Sequence, residues 1–391
     1  SETVPAAAGQ WLQTATPPLE GRRDAVPAWV DGRYLIVGGL TDAPCDPGAT
    51  CADGTALADG ALYDPADNTW TTISDAPTGL AQTGGASNPY PQAAVVGDTV
   101  YIQALGDTLL AYHPDSDTWT TLPTAPGYRT STLAGSFDNR LILFPWGQCT
   151  GPDEPCRSAA ASDYITLDPA TGSLTDQSFD LAIPNSVNGA TVVGGRLVIS
   201  WLVDENTLGT ALVDLATHKV TALPDISTGQ RPAPVAVGGY AAWPRDPDTA
   251  WFLDPATRAW SSVAMPATPG PLTGDTGVWP IVIGETIALD GHPYNPATQI
   301  LWDDLAALPI SDRAPTLVGG ADTALACFGY DPGRAAYNHT CRLLVFNPPP
   351  GVPSIAPEPD VNSTHVATEP APIETFDAPS VAPSPGGQST P

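Results

Sequence analysis

Apolar residues run along this chain in short stretches, interrupted every few positions by Gly, Asp, Asn or Pro. In Ala28-Trp29-Val30-Asp31-Gly32-Arg33-Tyr34-Leu35-Ile36-Val37, two apolar stretches flank Asp-Gly and predict a β-hairpin, because that dipeptide accepts the positive φ of a two-residue turn. The pattern returns around Gly97-Asp98, Asp138-Asn139, Gly194-Gly195, Gly238-Gly239, Gly284-Glu285 and Gly319-Gly320. A second kind of hairpin follows each copy: an apolar strand, a turn fixed by Pro and Asp or Asn, and a strand opened by Trp in the clearest cases. Those cases are Leu62-Tyr63-Asp64-Pro65-Ala66-Asp67-Asn68-Thr69-Trp70, Ala111-Tyr112-His113-Pro114-Asp115-Ser116-Asp117-Thr118-Trp119 and Phe252-Leu253-Asp254-Pro255-Ala256-Thr257-Arg258-Ala259-Trp260. Weaker copies centre on Asp168-Pro169, Asp214-Leu215, Asn295-Pro296 and Asn347-Pro348.

Seven inner hairpins paired with seven outer ones make seven units of four strands, labelled a to d from the inside outwards. The seventh unit meets prolines after Asn347 and has no strand d of its own. At the other end of the chain, Trp11-Leu12-Gln13-Thr14-Ala15 resembles Trp70-Thr71-Thr72-Ile73. The N-terminal strand is therefore expected to complete the last sheet and close a ring, which removes the exposed edges of an open array.

The Gly38-Gly39 pair after a second strand, the Tyr63-Asp64-Pro65 turn and Trp70 at the start of a fourth strand resemble the Kelch repeat. The resemblance extends as a pattern over roughly residues 11 to 348, with the Gly-Gly pair clear in the first unit. It implies an all-β fold, a seven-bladed β-propeller with four-stranded antiparallel blades. That fold hosts binding modules and enzymes alike, so it leaves function open. The expected divisions are an N-terminal extension at 1–10, the propeller at 11–348 and a Pro/Ser/Thr-rich extended tail at 349–391.

Composition narrows the classes. With 45 Pro and 37 Gly the chain disfavours helix. A formal charge of −28, from 42 acidic and 14 basic residues, repels phosphate backbones and anionic lipid headgroups, so neither nucleic acid nor a membrane surface is an expected partner. No apolar run is long enough to insert into a membrane. Lys219 is the only lysine, which leaves little material for Schiff-base or P-loop chemistry. Six cysteines fall into three local couples, Cys45 with Cys51, Cys149 with Cys156 and Cys327 with Cys341, without the paired C-x-x-C spacing of a zinc ribbon. They are read as disulfides, and from them follows an extracellular or cell-surface location. Ser1 is taken as the start of a mature chain.

Insertions at 40–60 and 147–162 each carry a cysteine couple, and the resulting constrained loops on one rim suggest a presented surface. The tail reads as a polyproline-like stalk. Asn338-His339-Thr340 and Asn362-Ser363-Thr364 fit the N-glycosylation sequon, which makes Asn338 and Asn362 candidate acceptors.

Candidate ligand groups are few. Arg22, Arg23, Arg129, Arg231 and Arg313 precede inner strands, where a cluster could clamp a carboxylate; the competing reading bonds each to carbonyls or acids of neighbouring blades. Trp146, Trp201, Trp243 and Trp279 are candidates for stacking on a sugar, whereas Trp29, Trp70, Trp119 and Trp260 are read as packing between blades. Asp42, Asp46 and Asp53 on the first constrained loop offer oxygen ligands for calcium, the one cofactor entertained. A copper radical site, as in the catalytic Kelch family of galactose oxidase, would need converging Tyr, Cys and His; the five histidines here are scattered. The reading that follows is a non-catalytic secreted or cell-surface module presenting its rim loops to a protein or glycan. Two alternatives stand beside it, a carbohydrate-active enzyme using the axial face and a subunit of an extracellular filament joined through its tail.

Overall fold

The computed structural model describes residues 9–41, 56–80, 93–103, 108–122, 130–147, 163–179, 181, 187–204, 207–227, 233–244, 249–264, 281–289, 292–302, 316–331 and 336–346. Among them there is no helix, and the strands form seven four-stranded antiparallel sheets and one small two-stranded sheet. Blade 1 consists of Val26–Val30, Arg33–Val37, Gly60–Asp64 and Thr69–Thr72, paired in that order. Blades 2 to 6 repeat the scheme from Ala93, Thr130, Val187, Val235 and Ile281. Blade 7 takes Thr316–Gly319, Thr323–Cys327 and Cys341–Phe346 from the end of the chain and its strand d, Gly9–Gln13, from the beginning. In that junction Trp11 lies opposite Leu344 and Gly9 opposite Phe346. The closed arrangement is a seven-bladed β-propeller.

Period-two alternation explains why the inner strands read as almost continuous apolar runs: both faces of each blade are buried against a neighbour. In Arg33–Val37, Leu35 and Val37 join Val100, Ile102 and Leu110 of blade 2, while Tyr34 and Ile36 join Leu325, Cys327 and Leu343 of blade 7. Tyr34 reaches across that second seam, its hydroxyl 2.6 Å from Thr323 Oγ1, and burial pushes its pKa up.

A repeated latch joins the outer strands of successive blades. After strand d of blade 7, Ala15 donates its N–H to Asn68 Oδ1 at 2.8 Å and accepts from Trp70 Nε1–H at 3.0 Å. After strand d of blade 1, Ser74 is held in the same way by Asp117 (2.8 Å) and Trp119 Nε1 (2.8 Å). Asn68 and Asp117 sit at positive φ just ahead of strand d and also accept the hydroxyls of Tyr63 and Tyr112. In blades 1 and 2 the Asp/His-Pro-to-Trp phrase thus supplies the turn and both arms of a grip on the preceding blade.

Six inner hairpins turn at the dipeptides expected. The seventh does not: Gly319 is still in the ladder opposite Ala324, and the turn runs over Gly320, Ala321 and Asp322. The reason is steric. A Cβ at Gly319 would overlap the Val282 carbonyl of blade 6, so this glycine serves close approach between blades and not the turn.

Candidate functional site

Each turn reverses the chain, so the a–b turns leave the sheet at one end of the inner strands, and the b–c and d–a connections leave at the other. The a–b turns are tight, two residues long in blades 1 to 6. All the long connections therefore emerge together, including 38–59 of blade 1, 148–162 of blade 3 and 328–340 of blade 7. The last of these was not anticipated as an insertion. It carries its own hairpin, Tyr330–Asp331 with Ala336–Tyr337, above a Cys327–Cys341 disulfide that links directly opposed residues of neighbouring strands.

Arg22 is the centre of this end at the junction of blades 7 and 1. Its side chain is fully buried. The guanidinium meets Asp59 in a fork, with Nη1 2.7 Å from Oδ1 and Nη2 2.8 Å from Oδ2. Nη1 also donates to the Gly38 carbonyl (2.9 Å) and Nε to the Glu20 carbonyl (3.0 Å), and the group lies 5.8 Å from the centre of the Phe328 ring. Hydrogen bonding from Arg22 holds the Asp59 pKa below the usual carboxylate range, against the opposing effect of burial. One side chain thus ties the connection entering blade 1, the end of its strand b, the start of its strand c, and blade 7.

The local backbone is shaped for this. Gly38 and Gly39 both have positive φ, and a Cβ on either would strike the carbonyl oxygen of Leu80 or Arg23. The close approach lets Gly39 N–H bond to the Leu80 carbonyl at 2.5 Å, while Arg23 and Leu40 exchange backbone bonds at 2.8 Å. On the blade 7 side, Gly21 donates its N–H to His339 Nδ1 at 3.1 Å, which requires that nitrogen to be unprotonated.

The other candidates fall out as follows. Arg23 pairs with its neighbour Asp24 at 2.7 Å. Trp201 is buried between blades 3 and 4, its ring packed so closely on Gly209 that no Cβ would fit there. Trp243 is wholly buried between blades 4 and 5. Both tryptophans are thus in the packing between blades. Trp146 lies in strand Arg140–Gly147 of blade 3. Asn338 is half-buried at the foot of the blade 7 hairpin, with Oδ1 accepting from the backbone N–H and the hydroxyl of Thr340, both at 3.0 Å. Arg129, Arg231, Arg313, Trp279, Asp42, Asp46, Asp53, Asn362, and the couples Cys45 with Cys51 and Cys149 with Cys156 lie outside the described residues. Among the described residues no group of three or more His, Cys, Asp and Glu converges as a metal site.

Sequence reasoning found Arg22 but missed Asp59, Gly38 and His339 as its surroundings. Asp59 had a signal, since it stands next to the strand-opening Gly60 where a long insertion returns to the blade. His339 had none, because nothing local pairs it with Gly21.

No family model matches this chain, and no curated protein does. Among solved structures, that of YjhT is similar over 65% of this chain and 84% of its own, at 14% identity and a TM-score of 0.40. The propeller assignment rests on the strand pairing described above.

Proposed function

We propose that this chain is a non-catalytic, secreted or cell-surface binding module that offers the loop-bearing end of its propeller to a protein or glycan partner. The observation that carries the reading is the contrast between the two ends. Turns of two residues close one end in blades 1 to 6, whereas connections of 22, 15 and 13 residues leave the other. Selection for folding alone does not call for long unequal loops, and function concentrates on loops held by a rigid scaffold. The Arg22 cluster and the Cys327–Cys341 disulfide supply that rigidity where blades 7 and 1 meet. Membership of the Kelch group belongs to the same proposal, supported by Gly38-Gly39 and the Asp-Pro-to-Trp hairpins.

The test is a blocking experiment on the full chain. An azide-bearing residue replaces Thr78, on the loop-bearing end, or Asn139, in an a–b turn, and a polyethylene glycol chain is coupled to each; both positions are exposed. Binding of the labelled protein to cells of its source and to a glycan array is then measured. Blocking at Thr78 should abolish the signal and blocking at Asn139 should spare it. The reverse pattern, or no binding to either target by the unblocked protein, sinks the reading.

A further inference from the structure

Five buried polar atoms without a hydrogen-bond partner among the described residues lie on one seam, between blades 4 and 5: Ser200 Oγ, Thr210 Oγ1 and the Nε1 atoms of Trp243, Trp251 and Trp260. Ser200 and Thr210 stand directly opposite each other on strands b and c of blade 4. Alternation puts them on the face of Val198, Leu208 and Leu212, which pack against Ala241, Trp243 and Leu253 of blade 5. Ser200, Thr210 and Trp243 are each wholly buried. Trp243 and Trp260 have ring centres 5.0 Å apart, and Trp251 meets Trp260 edge-on at 6.4 Å.

The seam departs from the latch seen in blades 1 and 2. Trp260 occupies the place of Trp70 and Trp119 at the start of strand d, but the strand it should grip carries one extra residue. In blade 4, Leu208 pairs with Ile226 while Thr210 pairs with Leu223, so a bulge falls at Pro224-Asp225. The carbonyl that would answer Trp260 has been moved. The same seam then holds two facing hydroxyls, where the matching pair is Val37 opposite Gly60 in blade 1 and Gln103 opposite Leu109 in blade 2.

We propose that the blade 4/5 seam contains a built-in site for an internal water molecule, bridging Trp243 Nε1–H to the hydroxyls of Ser200 and Thr210. An indole can only donate, and a hydroxyl can both donate and accept, so a water that accepts from Trp243 and bonds to both hydroxyls satisfies all three. Three protein partners are typical for a buried water. An anion would find the same donors, but the protein's charge of −28 opposes it.

A crystal structure of the full chain, at a resolution that orders solvent, tests this directly. Density for one atom within about 2.7–3.2 Å of Ser200 Oγ, Thr210 Oγ1 and Trp243 Nε1 is expected. A dry seam, with the hydroxyls turned onto strand carbonyls, overturns the proposal, as does an anion in that place. Thermal unfolding of S200A/T210V gives an independent sign. Hydroxyls buried without any partner would make the midpoint rise on their removal, which overturns the proposal; a fall is expected with the water, and the density separates it from the fall that hydroxyls bonded to strand carbonyls would also give. Should that variant fail to fold, the density in the unaltered protein decides.

Discussion

Arg22 and Asp59 should respond unequally to substitution although they form one ion pair. Arg22 is fully buried while the Asp59 side chain keeps 41% of its exposure. Asp59→Ala strands a guanidinium out of water, a change that costs about 3–5 kcal/mol in buried pairs. Arg22→Met keeps much of the volume and leaves a carboxylate that water can reach; the lost donors to Gly38 and Glu20 set the cost nearer about 1–3 kcal/mol. Urea unfolding midpoints measure the difference, and equal losses would argue against the buried fork as the source of stability. The pair also fixes a pH dependence. The Asp59 pKa is lowered in the folded state by the hydrogen bonds from Arg22, so its contribution is complete above the ordinary carboxylate value of about 3.9 and disappears as pH falls through the lower folded value. In D59N that part of the acid loss should be missing. From the sequence, the position of Arg22 ahead of an inner strand was legible, but its pairing was not: Gly60 marks where the insertion returns, yet nothing local shows that its course brings Asp59 back to a residue 37 positions earlier.

At the scale of the strand and hairpin, one of three copies of a phrase behaves differently from the other two. Trp119→Phe keeps the ring contact with Tyr112, whose centroid lies 4.8 Å away, but loses the bond from Nε1–H to the Ser74 carbonyl. A loss of about 1 kcal/mol is expected from that bond. Trp260→Phe removes no such bond, since Trp260 Nε1 has no partner among the described residues. Its cost should be smaller, and thermal or urea midpoints of the two variants side by side decide it; an equal loss would mean that ring size, not the hydrogen bond, sets both. Part of this contrast is in the phrase, since Arg258 stands where Asn68 and Asp117 supply the acceptor and Leu253 where Tyr63 and Tyr112 donate to it. The rest comes from Pro224 in the neighbouring blade, where a residue without an N–H suits a bulge. The glycines divide in the same way. Asp31-Gly32 was legible as a turn because its requirement is local positive φ, whereas Gly319 was misplaced into a turn because its requirement is the Val282 carbonyl of another blade.

For the whole molecule, closure and charge are the governing terms. The ring count and the N-terminal origin of the last strand were legible because each unit repeats the same two hairpins, so a missing strand at one terminus and a surplus one at the other had a single economical solution. Deleting residues 1–15 would strip strand d from blade 7 and take Ala15 from the latch with Asn68 and Trp70. The unpaired edge of Cys341–Phe346 should then recruit other chains, and light scattering should report more association than for the full chain at the same concentration. Charge acts on the closed ring as a uniform strain. At −28 the folded chain repels itself, and compaction raises that repulsion relative to the expanded unfolded state. Salt shortens the range of the interaction to about 10 Å at 0.1 M, which spares contact pairs such as Arg22 with Asp59 while damping the field of distant acids. The urea midpoint should therefore rise as sodium chloride is raised from about 0.01 M to about 0.5 M. A falling midpoint would show that close ion pairs outweigh the net repulsion, and would locate the stability of the ring in the few cations the chain retains.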